Sequence, residues 1–122
     1  MSPGRSFREL IAWQKAMDLT EATYRLASQL PERERFGLWS QLTRAATSIP
    51  ANIAEGRGRQ GRREFANFVS IARGSLAELE TFVRLAERLG YARPEGTATL
   101  KGLASEVGRL TTRLHQSLRS SS

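Results

Sequence analysis

Between Arg62 and Leu89, seven apolar residues recur at alternating spacings of four and three: Phe65, Val69, Ala72, Leu76, Leu79, Val83 and Ala86. That ladder holds one apolar seam along a single side of an α-helix, and only other helices or a sheet can bury a seam of that length. Phe68, Ile71, Phe82, Leu85 and Leu89 widen the seam beyond what one core requires, and Gly90 follows as a cap. No strand-like alternation competes anywhere in the chain. The sequence is therefore restricted to helix-on-helix packing.

Three further helical segments supply the partners. The first spans about 7–30, opened by the capping-box pair Ser6 and Glu9 and stopped at Pro31. Its residues Leu10, Trp13, Met17, Thr20, Tyr24 and Ala27 fall within an arc of about 100° and read as the core-facing stripe. Ala12, Leu19 and Leu26 lie nearly opposite, with Leu30 beside them. A small bundle has no central helix, so a second apolar stripe implies a second subunit. The expected oligomer interface is Ala12, Leu19, Leu26 and Leu30, with Ile71 and Leu85 from the third helix.

The second segment spans about 34–55. Leu38, Leu42, Ala45, Ala46, Ile49 and Ile53 keep to one face across Pro50, which predicts one kinked helix capped at Gly56. The third spans about 62–89 and the fourth about 95–118, the latter with Leu100, Leu103, Val107, Leu110, Leu114 and Leu118 on one face. The Arg119–Ser122 tail is expected to fray. The prediction is an all-α, antiparallel up-and-down four-helix bundle, one domain over 1–122, with helix two kinked at Pro50.

A chain of 122 residues is long enough to bury a core without metal or disulfide, and it contains no cysteine. Without a signal core or a membrane-length apolar run, a soluble cytoplasmic protein is expected. The net charge of +7 and pI near 11.2 favour a polyanionic partner. Seventeen of the nineteen basic residues are Arg, a bias that coding composition alone can produce. Placement argues for more than bias: residues 56–75 hold five bases against one acid.

Four of those bases, Arg57, Arg59, Arg62 and Arg63, sit in the glycine-rich turn between helices two and three. Gly56, Gly58 and Gly61 formally match G-x-G-x-x-G, and Gly56 to Arg63 imitates a P-loop. Both motifs require a preceding strand, whereas a helix precedes here, so neither is a nucleotide site. The glycines read as turn residues at positive φ. Functionally, the four arginines and the positive start of helix three form a phosphate cradle, with Arg73 and Arg44 as auxiliaries. Structurally, they are a solvated turn paired with Glu55 and Glu64.

Ser48, Asn52 and Glu55 line a polar strip around Pro50. Ser48 and Asn52 are expected to satisfy carbonyls freed by the proline, and Glu55 to bond Arg44 or Arg59. Arg44, Arg73 and Glu80 read as ion pairs at the bundle edge. His115 is the only histidine, without companions at metal-ligand spacing, and no nucleophile–base pair can be assembled. Neither an enzyme nor a cofactor is expected.

The motifs Phe7–x–x–Leu10 with Trp13–Gln14–Lys15–Ala16, Phe36–Gly37–Leu38, Ser40–Gln41–Leu42, Arg44–Ala45–Ala46, Ser48–Ile49–Pro50–x–Asn52–Ile53–Ala54–Glu55–Gly56, Ile71–Ala72–x–Gly74–Ser75–Leu76–x–Glu78–Leu79 and Leu89–Gly90–Tyr91 carry a resemblance. Over about residues 7–92 the chain resembles the 23S rRNA-intervening-sequence proteins, which are related to the accessory variability determinants of diversity-generating retroelements. The resemblance implies a bacterial four-helix-bundle protein, a homopentamer arranged as a basic barrel, and no known enzymatic activity. From it two functional readings follow: an oligomeric protein binding structured RNA, or a scaffold docking a protein such as a reverse transcriptase.

Overall fold

The computed structural model describes residues 6–120, which form four long helices: α1 (Ile11–Ala27), α2 (Leu38–Arg57), α3 (Arg62–Arg88) and α4 (Pro94–Ser120). Two short 3-10 turns, Phe7–Glu9 and Glu32–Glu34, precede α1 and α2. No strand occurs among the described residues. Of the tail expected to fray, residues 121–122 lie outside the described part, whereas Arg119 and Ser120 complete α4.

Each helix packs on two neighbours, giving the ring α1–α2–α3–α4. Cross-helix contacts advance along one helix as they recede along the next. Gly56 meets Phe65 and Phe68 while Ser48 meets Ser75; Arg62 meets Ser117 while Leu76 meets Gly108. Antiparallel neighbours joined by short connections have this register. The ladder of α3 is buried throughout, against Leu42, Ile49 and Ile53 of α2 and Leu100, Ala104 and Val107 of α4.

The first helix departs from expectation at its start and in its orientation. Ser6 caps only the 3-10 turn, its Oγ accepting from the Arg8 amide at 3.1 Å. Leu10 is then extended, and α1 begins at Ile11. The expected interface residues Ala12, Leu19 and Leu26 are buried in the chain's own core, and Leu30 packs against it. Conversely Met17 and Tyr24, expected inside, are 42% and 44% exposed. The stripe that wins is Ala12, Ala16, Leu19, Thr23 and Leu26, a four-three seam like that of α3. Thr23 belongs to it because its hydroxyl donates to the Leu19 carbonyl at 2.8 Å, so burial leaves no polar group unpaired. Alanine and threonine disguised this seam beside the larger side chains of the other stripe. Ile71 and Leu85 are exposed on α3, as an external face requires.

In α2, Pro50 lies buried within a helix that continues to Arg57. Lacking an N–H, it leaves the Ala46 carbonyl without its intrahelical donor. The repair comes from α1: Thr20 Oγ1 lies 3.1 Å from Ala46 O and 2.8 Å from its own Ala16 O. Ser48 and Asn52 were expected in that role but do something else. Asn52 Nδ2 donates to Ser48 O and Oγ at 2.8 and 2.9 Å, and Ser48 Oγ bonds Ser75 Oγ at 2.8 Å. This polar chain ties α2 to α3.

The glycines also differ from expectation. Gly90 alone has positive φ among the described residues, 81°, and it ends α3 with Tyr91 N donating to Ala86 O and Gly90 N to Glu87 O. These two bonds define a Schellman cap. Gly56 is not the cap of α2 but a point of contact. A Cβ there would lie 2.7 Å from Phe68 Cβ and 2.9 Å from Phe65 Cδ1. At the start of α2, the Glu34 carboxylate takes over capping, accepting from the Leu38 amide at 3.0 Å and from the Tyr91 hydroxyl at 2.8 Å. The amide bond, then the phenol, hold the Glu34 carboxyl below its ordinary value.

Two outcomes follow from these contacts. Thr20→Val should destabilise by about 1–3 kcal/mol by orphaning the Ala46 carbonyl, and most of that loss should vanish in a Pro50→Ala background that restores the amide donor. Equal losses in both backgrounds, by urea unfolding, would refute the repair. Gly56→Ala should cost about 1–3 kcal/mol through overpacking. Gly74→Ala, at an open helical position, should instead gain about 0.5–1 kcal/mol; the same sign for both would show that α2 and α3 are not in close contact at Gly56.

Candidate nucleic-acid interface

The connection from α2 to α3 separates the arginines that the sequence clusters. Arg59 turns toward the α2 side: its Nη2 meets Glu55 Oε2 at 2.7 Å, and its guanidinium lies 5.0 Å from the Phe68 ring centre. Both ends of that ion pair are half-exposed, so it contributes little to stability. Of the two partners open to Glu55, the structure selects Arg59. Arg62 turns the other way and donates to the Ser117 carbonyl in the last turn of α4. The bond braces the start of α3 against the end of α4.

Arg57, Arg59 and Arg62 line a cavity at this end of the bundle together with Leu10, Phe65 and Leu114. Gly61 precedes α3 without a side-chain cap, which leaves the positive helix end open beside Arg62 and Arg63.

Arg62 and Arg63 also enter a polar groove between the start of α3 and the end of α4, lined further by Asn67, Ser70, His115 and Arg119. Among the described residues, no acidic side chain lines it. Arg63 and Arg119 are exposed and form no ion pair among the described residues. The acid nearest in sequence on α4, Glu106, faces Lys15 of α1 at 3.8 Å instead.

Arg73 and Glu80 were expected to be paired. They share the next stretch of the α3/α4 groove with Arg109 and Arg113, but neither forms an ion pair within it. Arg44, exposed on α2, likewise forms no ion pair among the described residues and does not line this groove. Two turns further along α3, Glu87 meets Lys101 of α4 at 2.7 Å, and the Thr97 hydroxyl also reaches it. Lys101, then Thr97, lower the Glu87 carboxyl from its ordinary value.

Arg109, Arg113 and Arg119 thus belong to the cationic surface, with His115 in its lining, although the sequence alone did not place them there. A signal existed: Arg109 and Arg113 are four apart and must share a helix face. What the sequence did not provide was the register that sets the end of α4 beside the start of α3. The described residues contain no cluster of three metal-ligating side chains, and no helix is long and apolar enough to cross a membrane. The arrangement offers guanidinium and amide donors at an open groove, which suits the binding of anionic oxygens.

A helical bundle with a basic inter-helical groove is the class defined by this geometry. A family model for the 23S rRNA-intervening sequence proteins matches residues 8–113. The chain belongs to that family. It is also similar to the crystal structure of a protein of unknown function from the S23 ribosomal protein family of Bacteroides thetaiotaomicron, with 26% identity and a TM-score of 0.80. That similarity covers 87% of this chain and 99% of the other. A comparison with curated proteins gives no match.

Proposed function

We propose that this protein is a non-enzymatic, cytoplasmic, homo-oligomeric RNA-binding bundle that contacts structured RNA through its arginine-rich corner. The observation that carries the reading is the groove where Arg62 and Arg63 of α3 meet Arg119 of α4 without an acid in its lining. Arg57 and Arg59 flank it at the bundle end. Guanidinium groups suit phosphate oxygens because their planar fork donates two parallel hydrogen bonds. Assembly would place several such grooves on one particle, and a weak site then gains through effective concentration.

Exposed apolar side chains support assembly. Met17, Tyr24 and Trp39 are open on α1 and α2, next to a shallow groove of Trp13, Thr47, Pro50 and Ala54. Ile71, Leu85 and Leu89 are open on α3. Five copies is the number implied by the family resemblance. The same exposed residues favour the second reading, a scaffold docking a protein such as a reverse transcriptase.

Binding of a fluorescent RNA hairpin, single-stranded RNA and duplex DNA across a salt series tests the first reading. Micromolar or tighter hairpin binding is expected, with a steep salt slope, and Arg63→Glu/Arg119→Glu should weaken it at least tenfold. Unchanged affinity in that variant would remove the groove from the interface. A partner pull-down that survives nuclease and high salt would favour the scaffold instead.

Sedimentation tests the assembly. Met17→Glu/Tyr24→Glu or Ile71→Glu/Leu85→Glu should lower the particle mass toward that of one chain while helical content is retained. If neither pair changes the mass, these faces do not join the subunits.

A further inference from the structure

We propose that the whole α3/α4 groove, and not only its arginine-rich end, is a track for the sugar–phosphate backbone of double-helical RNA, with Arg109 and Arg113 of α4 as its unrecognised half. This rests on the RNA-binding reading and specifies how the RNA lies. Two arginine rows border the groove: Arg62, Arg63 and Arg73 on α3, and Arg119, Arg113 and Arg109 on α4. At about 1.5 Å per residue, Arg63 to Arg73 and Arg109 to Arg119 each span about 15 Å. The helices run in opposite directions, so the rows lie alongside each other and end together.

The charge in these rows is not used within the fold. Arg63, Arg73, Arg113 and Arg119 have neither hydrogen bond nor ion pair among the described residues. Arg109 bonds only the Ser105 hydroxyl, at 2.9 Å, and Arg62 only a carbonyl, so neither is neutralised. Two acids that could intrude are held elsewhere, Glu106 by Lys15 and Glu87 by Lys101. Glu80 marks where the track stops.

Between the rows the groove is lined by Leu76 and by the small residues Ala77, Ser105, Gly108 and Thr112, which leaves room for a ligand between the guanidinium groups. The only ring in the lining is the His115 imidazole. Single-strand binders need successive aromatic platforms for unstacked bases, and this groove lacks them. Double-helical RNA is held by phosphate and 2′-hydroxyl contacts independent of sequence. Guanidinium rows with the Asn67 amide and the Ser70, Ser105 and Thr112 hydroxyls present those donors and acceptors.

The test compares hairpin binding by the full chain, Arg63→Glu/Arg119→Glu, Arg109→Glu/Arg113→Glu and the charge-matched control Arg25→Glu/Arg35→Glu, each verified for helical content and assembly. The Arg109/Arg113 variant should lose at least tenfold in affinity relative to the control, and its logarithmic salt slope should fall by about one to two. Hairpins of scrambled stem sequence should bind alike, and a single strand of equal length should bind more weakly. If the wild type binds no RNA at moderate salt, the RNA reading fails and the track with it. If the Arg63/Arg119 variant loses affinity while Arg109/Arg113 follows the control, RNA binding stands and the track is overturned. Preference for the single strand, or displacement by polyglutamate at equal charge, would overturn it in favour of unpaired RNA or an acidic protein.

Discussion

The close packing of α2 on α3 is the contact from which the other features follow. It is fixed at one end by the absence of a side chain at Gly56, against which Phe65 and Phe68 rest, and near its middle by the Ser48–Ser75 hydrogen bond. With these helices in contact, the short connection between them has little freedom. Arg59 is left over Phe68 beside Glu55, and Arg62 reaches across to α4. The cationic corner is thus a by-product of how tightly two helices meet.

Proline within α2 shows the same economy of partners. Pro50 is buried among apolar residues, where a free carbonyl would normally be costly. Thr20 supplies a hydroxyl within reach from the neighbouring helix, while Ser48 and Asn52 are directed to α3. Half-buried polar groups in this bundle therefore set positions: Thr20 registers α1 on α2, and Ser48 registers α2 on α3. Thr23 and Thr111 bond back to their own helices and let small polar residues stand in the core.

The cationic groove arises where antiparallel register brings the start of α3 beside the end of α4. Neither helix alone carries a dense basic stripe. Together they present arginines from both sides of one groove, with Glu106 paired to Lys15, Glu87 paired to Lys101, and Glu80 at the far end of the lining.

The four-helix architecture and the seam of α3 were legible from residue spacing, because a four-three ladder of apolar residues can be buried in few ways. The Arg57 to Arg63 cluster was legible from charge density, and Gly90 from its position after the last seam residue. Orientation was not. In α1 two stripes compete, and the one built from Ala12, Ala16, Leu19, Thr23 and Leu26 is buried although the other carries Trp13, Met17 and Tyr24. Spacing alone cannot rank them, since close approach of backbones rewards small side chains as much as size rewards large ones. The partner of the Ala46 carbonyl, the division of the arginines, and the contribution of Arg109 and Arg113 depend on which residues of different helices stand at the same height. Sequence determined that this chain forms helices with one strong seam and an excess of arginine. Tertiary structure decided which faces meet and where that charge gathers, because the register between helices is set by packing of residues far apart in the chain.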